Sequence, residues 1–347
     1  MKKIAFFSLF SLSCIFPTWI YAGPSCGIEI NITISPSNDG SVCDCSGDVA
    51  SVSNCNLEGA IQVASWNSGK TTINLETGTY SPASTLDYYG GYGSTLILQA
   101  VSGASPVIDG AENQQIMSAT YLQSDLTVEG ITFKNGSAAD NGGALFIEAD
   151  TGASFNVTLK NNSFINNKTP LNAVSPSGTG GAIFMNASTT SAGIINVLLE
   201  GNLFQENQAT YGGGIYLNTV VSSVGGSVTL KGNTWTGNQA TYDDGALGIE
   251  GSTVTMGGRN VGDGNIIQNN KANQGGDGGG AIFAVEGITF VGNSVLSNHA
   301  DQAYVGGLRL FNQGGVLDVE YNLVDSNTSG RIGGLQLAHY SDENAVS

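Results

Sequence analysis

The residues best suited to chemistry are acids placed where glycine is the rule. Asp244-Gly245, preceded by Asp243, stands where other stretches of the chain carry a glycine pair, and Asp277 comes shortly before another such pair. Carboxylates gathered at neighbouring turns can hold a hard cation such as Ca²⁺. With an Arg or Lys to take a sugar proton, they can also cleave a polysaccharide. Only three arginines exist, Arg259, Arg309 and Arg331, and the spacing puts no basic residue in the turn beside either acid. The expectation is therefore that Asp140, Asp243, Asp244 and Asp277 are solvated turn residues. Asp243, Asp244 and Asp277 remain the only metal candidates, Asp277 one rung away from the pair. His299 and His339 lack a Ser or Cys partner in motif context, so nucleophilic catalysis has no support. The glycine pairs precede strands and not helices, which removes a phosphate-cradling loop. No catalytic residue is assigned and no cofactor is expected, with Ca²⁺ as the candidate cation for the carboxylates.

Cysteines and charge bound the setting. Lys2 and Lys3 followed by the uncharged, mostly apolar run Ile4–Ile20 and by Ala22 read as a secretory signal over residues 1–22. Pro17 interrupts the run, which is short for a membrane span, and no second apolar span follows. Of five cysteines, Cys14 leaves with the signal. Cys26, Cys43, Cys45 and Cys55 cluster behind it and predict two disulfides with three possible pairings. The Cys43-Asp44-Cys45 spacing is wrong for a zinc knuckle, and no histidine is near. The formal charge is −17, and the signal carries two of the eleven basic residues and no acid. Such a surface repels nucleic acid, and repels a polyanionic sugar unless a cation bridges the two. With 40% hydrophobic and only 11% charged residues, the chain is not a disordered acidic tail.

The elements that must carry these residues are visible as repeats. Asn-x-Φ-x-x-Asn, with Φ apolar, recurs at Asn162/Phe164/Asn167, Asn202/Phe204/Asn207, Asn233/Trp235/Asn238, Asn265/Ile267/Asn270, Asn293/Val295/Asn298 and Asn322/Val324/Asn327. Alternating strands precede it, with Val157/Leu159, Val197/Leu199, Val228/Leu230, Ile288/Phe290 and Leu317/Val319 inward. A glycine pair and another strand follow it. A unit of about thirty residues that cannot bury its apolar side alone must stack on its neighbours. The fold class expected is all-β, a parallel β-helix with a small disulfide-bearing N-terminal cap. Leu57, Ala60, Ile61 and Ala64 predict a short amphipathic helix in that cap, N-capped by Asn56. The organisation is a signal at 1–22, a cysteine-rich segment and capping helix at 23–70, irregular first rungs at 71–125 and repeats proper at 126–347.

Gly181-Ala182-Ile183-Phe184, Gly280-Ala281-Ile282-Phe283 and Phe164-Ile165-Asn166-Asn167 alternate in a way that resembles the repeats of chlamydial polymorphic outer membrane proteins. Cys55-Asn56-Leu57-Glu58-Gly59-Ala60-Ile61 is similar to the Cys-Ser-Leu-Arg-Glu-Ala-Ile motif of bacterial exported β-helix proteins, with Glu58 and Gly59 altered. The first resemblance implies a right-handed helix of the pectate-lyase-like kind, exposed at a bacterial cell surface or outer membrane in an adhesin-like role. The second implies a capping module. Gly275-Gly276-Asp277-Gly278 is also similar to a Ca²⁺-binding nonapeptide, in a single copy without a period.

Counting from each glycine pair, the positions one and three residues on are expected to point inward. Leu145, Ile183, Tyr216, Leu247 and Ile282 then form an apolar outer stripe, a contact surface for a partner, a glycan, another copy or the chain's own inserted loops such as 168–179. The expected function is a secreted, non-enzymatic, adhesin-like binding protein, with a polysaccharide lyase or glycosidase as the alternative.

Overall fold

Alternation of buried and solvent-facing side chains, repeated at a fixed interval, is satisfied by winding the chain. The computed structural model describes residues 27–339, apart from stretches at 39–42, 47–48, 52–53, 92, 151, 172–176, 188–192, 220–225, 275 and 302–303. The expected signal and Cys26 lie outside the described residues. The protein is a parallel β-solenoid of about eight turns.

Each full rung has three faces. On the first, Phe155–Lys160, Ile195–Glu200 and Ser227–Lys231 pair in parallel and in register, so that Val157, Val197 and Val228 form one column and Leu159, Leu199 and Leu230 another. On the second face, Phe133, Phe164, Phe204, Trp235, Ile267, Val295 and Val324 are aligned rung on rung, as the repeat predicts. The rings in this column stack at 5.1–5.2 Å with interplanar angles of 5–8°. Burial of such side chains contributes roughly 1.5–3 kcal/mol each. The third face consists of Leu145–Ala149, Ile183–Asn186, Ile215–Asn218, part of Leu247–Gly257, part of Gly280–Val291, Leu308–Asn312 and Leu335–His339.

Two asparagine columns hold the corners on either side of the second face. The Oδ1 of Asn202 accepts both the backbone N–H and the Nδ2 of Asn162. Its own Nδ2 donates to the Leu159 carbonyl and to Asn233 Oδ1. The same bonds run from Asn162 to Asn322, and from Asn167 to Asn327 in the other column. These amides are almost wholly buried through Asn298, and their bonding capacity is spent.

The N-terminal cap is as the sequence predicts. The helix spans Leu57–Trp66, Asn56 Oδ1 accepts the Gly59 N–H at 2.9 Å, and Leu57, Ala60, Ile61, Val63 and Ala64 are buried. Cys43 and Cys55 form a disulfide. The side chain of Cys45, like Cys26, lies outside the described residues. Within the cysteine-bearing segment, Ile30–Ile34 already forms a rung beneath Lys70–Leu75.

The outer stripe is corrected. Leu145, Ile183, Leu247 and Ile282 are buried at 0% exposure; only Tyr216 faces outward as expected. The cause is the phase of the strand. Ladder bonds align Gly143 with Gly181, Gly213, Gly245, Gly278 and Gly306, so the conspicuous glycine pairs are not all equivalent. Ala144, Ala182 and Ala246 belong to the turn, and Gly280, not Ala281, stands in line with Leu247 and Ile215. A slip of one residue exchanges the two faces of a strand. The residues truly outward are Phe146, Phe184, Tyr216, Gly248, Ala281, Arg309 and Gln336 in one column.

Replacing Asn202 by Ala strands the Asn162 N–H and the Leu159 carbonyl in the interior, at about 1–3 kcal/mol for each unpaired group. Chemical denaturation is expected to show a loss of at least about 2 kcal/mol. The exposed Asn156→Ala should stay within about 0.5 kcal/mol. Equal effects from the two would remove the asparagine ladder from the stabilising interactions.

Candidate functional site

The turn that leads into the third face decides where the acids go. Gly142, Gly180 and Gly212 occupy it with φ of 65°, 67° and 62°, a left-handed conformation that costs glycine nothing. In the next rung Asp244 takes this place with φ 61°, which Asp tolerates better than most residues. One rung further Asp277 takes it: Gly213 N–H donates to the Asp244 carbonyl and Gly245 N–H to the Asp277 carbonyl. The two acids are thus stacked neighbours. Asp243 is in line with Tyr211 of the rung before.

Hydrogen bonds bind the three together. Asp243 Oδ1 accepts the backbone N–H of Asp244 at 3.1 Å and that of Asp277 at 3.0 Å. Gly276 makes this approach possible, because a Cβ there would collide with the Asp243 carboxylate. Asp277 Oδ1 accepts the Val305 N–H at 3.1 Å. Its Oδ2 receives Nε of Arg309 at 2.6 Å and Nη2 at 2.5 Å. The guanidinium is held in turn by the rings of Tyr304, at 5.3 Å, and Phe311, at 5.1 Å. One oxygen of each of Asp243, Asp244 and Asp277 lies within 4.8 Å of the others.

The expectation of solvated turn aspartates is overturned for Asp244 and Asp277, while Asp140 is exposed as expected and Asp243 half-buried. Asp277 is 0% and Asp244 7% exposed, and Asp244 Oδ1 is buried without a hydrogen-bond partner. Burial drives the Asp244 carboxyl well above the usual carboxylate range, and the charges of Asp243 and Asp277 push the same way. Burial also lifts Asp277 to about 7, against the opposing pull of Arg309. The expectation concerned the adjacent turn, and the basic residue that reaches Asp277 comes from elsewhere: Arg309 lies on the strand of the next rung, and its length lets it reach the rung below.

A cleft opens beside the acids. Phe146, Phe184 and Tyr216 stack along the outer face with centroids 5.5 and 6.1 Å apart. The stack stops at Tyr216, since the next two residues in the column are Gly248 and Ala281. Arg309 closes the gap on the far side. Between them lies a cavity of about 550 Å³, lined by Tyr216, Asp243, Asp244, Glu250, Phe283 and Phe311 among others. Tyr216 Oη donates to Glu250 Oε1 at 2.7 Å, and burial followed by this carboxylate pushes the phenol pKa up.

Asp243, Asp244 and Asp277 are therefore brought together, while Asp140 is not part of the group. His299 bonds Thr328 and Asp301 at the exposed end of another turn. Glu250 carries no signal in the sequence, Phe146 and Phe184 are expected inward by the count from the glycines, and the pairing of Arg309 with Asp277 is not foreseen. Counting the alternation backward from the strand, and not forward from the glycines, would have put Phe146, Phe184, Tyr216 and Arg309 in one outward column. No family model matches the chain, and no curated protein or solved structure matches it either. Among the described residues no helix is long and apolar enough to cross a membrane.

A carboxyl whose pKa is raised by folding keeps its proton longer in the folded state. Its contribution is fully present below the unfolded value of about 3.9 and is lost as pH rises towards the folded value. In chelator, Asp244→Asn should therefore stabilise the protein at pH 8 by about 1–2 kcal/mol and by clearly less at pH 4, read by denaturant titration. An identical effect at both pH values would contradict a buried, proton-hungry Asp244.

Proposed function

We propose that the chain is an exported β-helix protein of a bacterial cell surface that binds a polysaccharide in the cleft of its third face, in an adhesin-like role. Export is supported by the signal-like N-terminus, and the Cys43–Cys55 bond fits an oxidising compartment. The observation that carries the binding role is the interrupted aromatic column. One face of the Tyr216 ring is covered by Phe184, and the other looks over Gly248, where a Cβ would collide with it. Three rung spacings, roughly 14 Å, separate Tyr216 from Arg309. An aromatic side chain beside carboxylates in a cleft suits a sugar: the ring offers apolar surface to its C–H groups, and the acids accept from its hydroxyls. The acidic lining and the overall charge favour a neutral, hydroxyl-rich glycan over a polyanion.

A second reading, a polysaccharide-active enzyme, is favoured by Asp244. A buried carboxyl whose surroundings favour its protonated form, next to a second carboxylate, has the make-up of a general acid–base pair. Arg309 is spent on Asp277 and is not free to take a sugar proton.

Ala281→Leu fills the floor of the cleft from a column that elsewhere carries Phe, Tyr and Arg, so the fold should tolerate it. On an array of neutral and acidic glycans, the parent should retain a neutral polysaccharide. Ala281→Leu and Tyr216→Ala should each weaken retention at least tenfold, Ala281→Leu with an unchanged melting midpoint. Retention that ignores both substitutions would sink the cleft as the binding site. New reducing ends or unsaturated sugar ends in the incubations would move the assignment to the enzyme.

A further inference from the structure

We infer that Asp243, Asp244 and Asp277 form a binding site for a divalent cation of the Ca²⁺ class in the wall of the cleft. Three carboxylates on two successive rungs present one oxygen each within 4.8 Å of one another. An acidic group of this kind is often no more than a charged patch. What distinguishes this one is Asp244, which is 7% exposed and whose Oδ1 is buried with no partner. A carboxylate oxygen so placed needs a proton, a water or a cation beside it.

The charges favour the cation. Arg309 offsets one carboxylate, Asp277, by a direct ion pair. Asp243 and Asp244 remain opposed to each other, with Asp243 Oδ1 already occupied by two backbone N–H groups. A divalent ion would neutralise this pair, whereas a single proton neutralises half of it. The donor set is oxygen alone: no histidine or cysteine belongs to the group among the described residues. Oxygen donors of this kind select Ca²⁺, Mg²⁺ or Mn²⁺ over zinc or copper. The flexible coordination of Ca²⁺ suits a site that leaves positions open towards the cleft better than the strict octahedron of Mg²⁺ does. Arg309 stands at the edge and lowers the affinity, so binding belongs in the range of extracellular modules, with Kd of about 10⁻⁴–10⁻³ M.

The chain supplies its own fold-preserving variant. Asp244 stands where Gly142, Gly180 and Gly212 stand in earlier rungs with the same left-handed backbone. Asp244→Gly therefore removes the carboxylate and keeps the turn. The mature protein, stripped with chelator, is titrated with CaCl₂ by calorimetry and by thermal shift at constant ionic strength, alongside Asp244→Gly, Asp243→Asn and an Asp140→Asn control. The expected result is one Ca²⁺ per chain with a rising midpoint in the parent and the control. Affinity should fall at least tenfold in Asp244→Gly and Asp243→Asn. Absence of heat and shift up to 10 mM Ca²⁺, or a shift that Asp244→Gly leaves unchanged, overturns the site. Glycan retention is measured separately in chelator, so failure of the cation site and failure of the glycan cleft are told apart.

Discussion

The buried asparagine ladder is the constraint on which everything else rests. At two corners of each repeat the chain must change direction with its backbone groups turned away from water. Each amide meets that need by accepting a backbone N–H and a side-chain N–H from one rung while donating to a carbonyl of that same rung and to the amide of the next. Because Asn162, Asn202 and Asn233 must meet one another, neighbouring rungs cannot slip in register, and the aromatic column of Phe133, Phe164, Phe204 and Trp235 is stacked as a result. The loops between faces vary in length without disturbing the columns, since the corners fix the alignment again in every turn.

The cleft is a product of this regularity and its exceptions. A solenoid with identical rungs would present an unbroken outer column. Here Gly248 and Ala281 leave two rungs bare between Tyr216 and Arg309, and in the same part of the stack glycine gives way to Asp244 and Asp277 at the turn. Loss of bulk on the strand and gain of charge at its entry coincide. The backbone pays for this with a left-handed aspartate and a collection of like charges far from solvent, and departures of that sort gather at functional sites more than elsewhere.

Much of the fold was legible in the sequence because the repeat writes each column many times over. The Val157, Val197 and Val228 column, the Phe164, Phe204 and Trp235 column and both asparagine columns follow from spacing alone, and Asn56 with Leu57, Ala60 and Ile61 announces the helix. The outer face was misread because the glycine pairs that punctuate it do not occupy equivalent positions. Gly180-Gly181 and Gly279-Gly280 look alike, yet Gly181 aligns with Gly278. The prominence of Asp243-Asp244 was visible as a break in the glycine pattern. Its burial was not, because burial depends on Arg309 and on the rung above, and no local spacing reports on either.

The hydrogen bonds between rungs also have a direction in space: they run along the solenoid axis. A pull on the two ends of the chain would therefore be borne by them, with the covalent path coiled uselessly around the load. Under such tension a rung separates by peeling, and peeling starts where the chain turns. The asparagine amides sit at two of those turns and add bonds that must break together with the backbone ones. The ladder that sets the register thus also acts as a row of rivets, spaced one per turn along the line where a stretched solenoid would first tear.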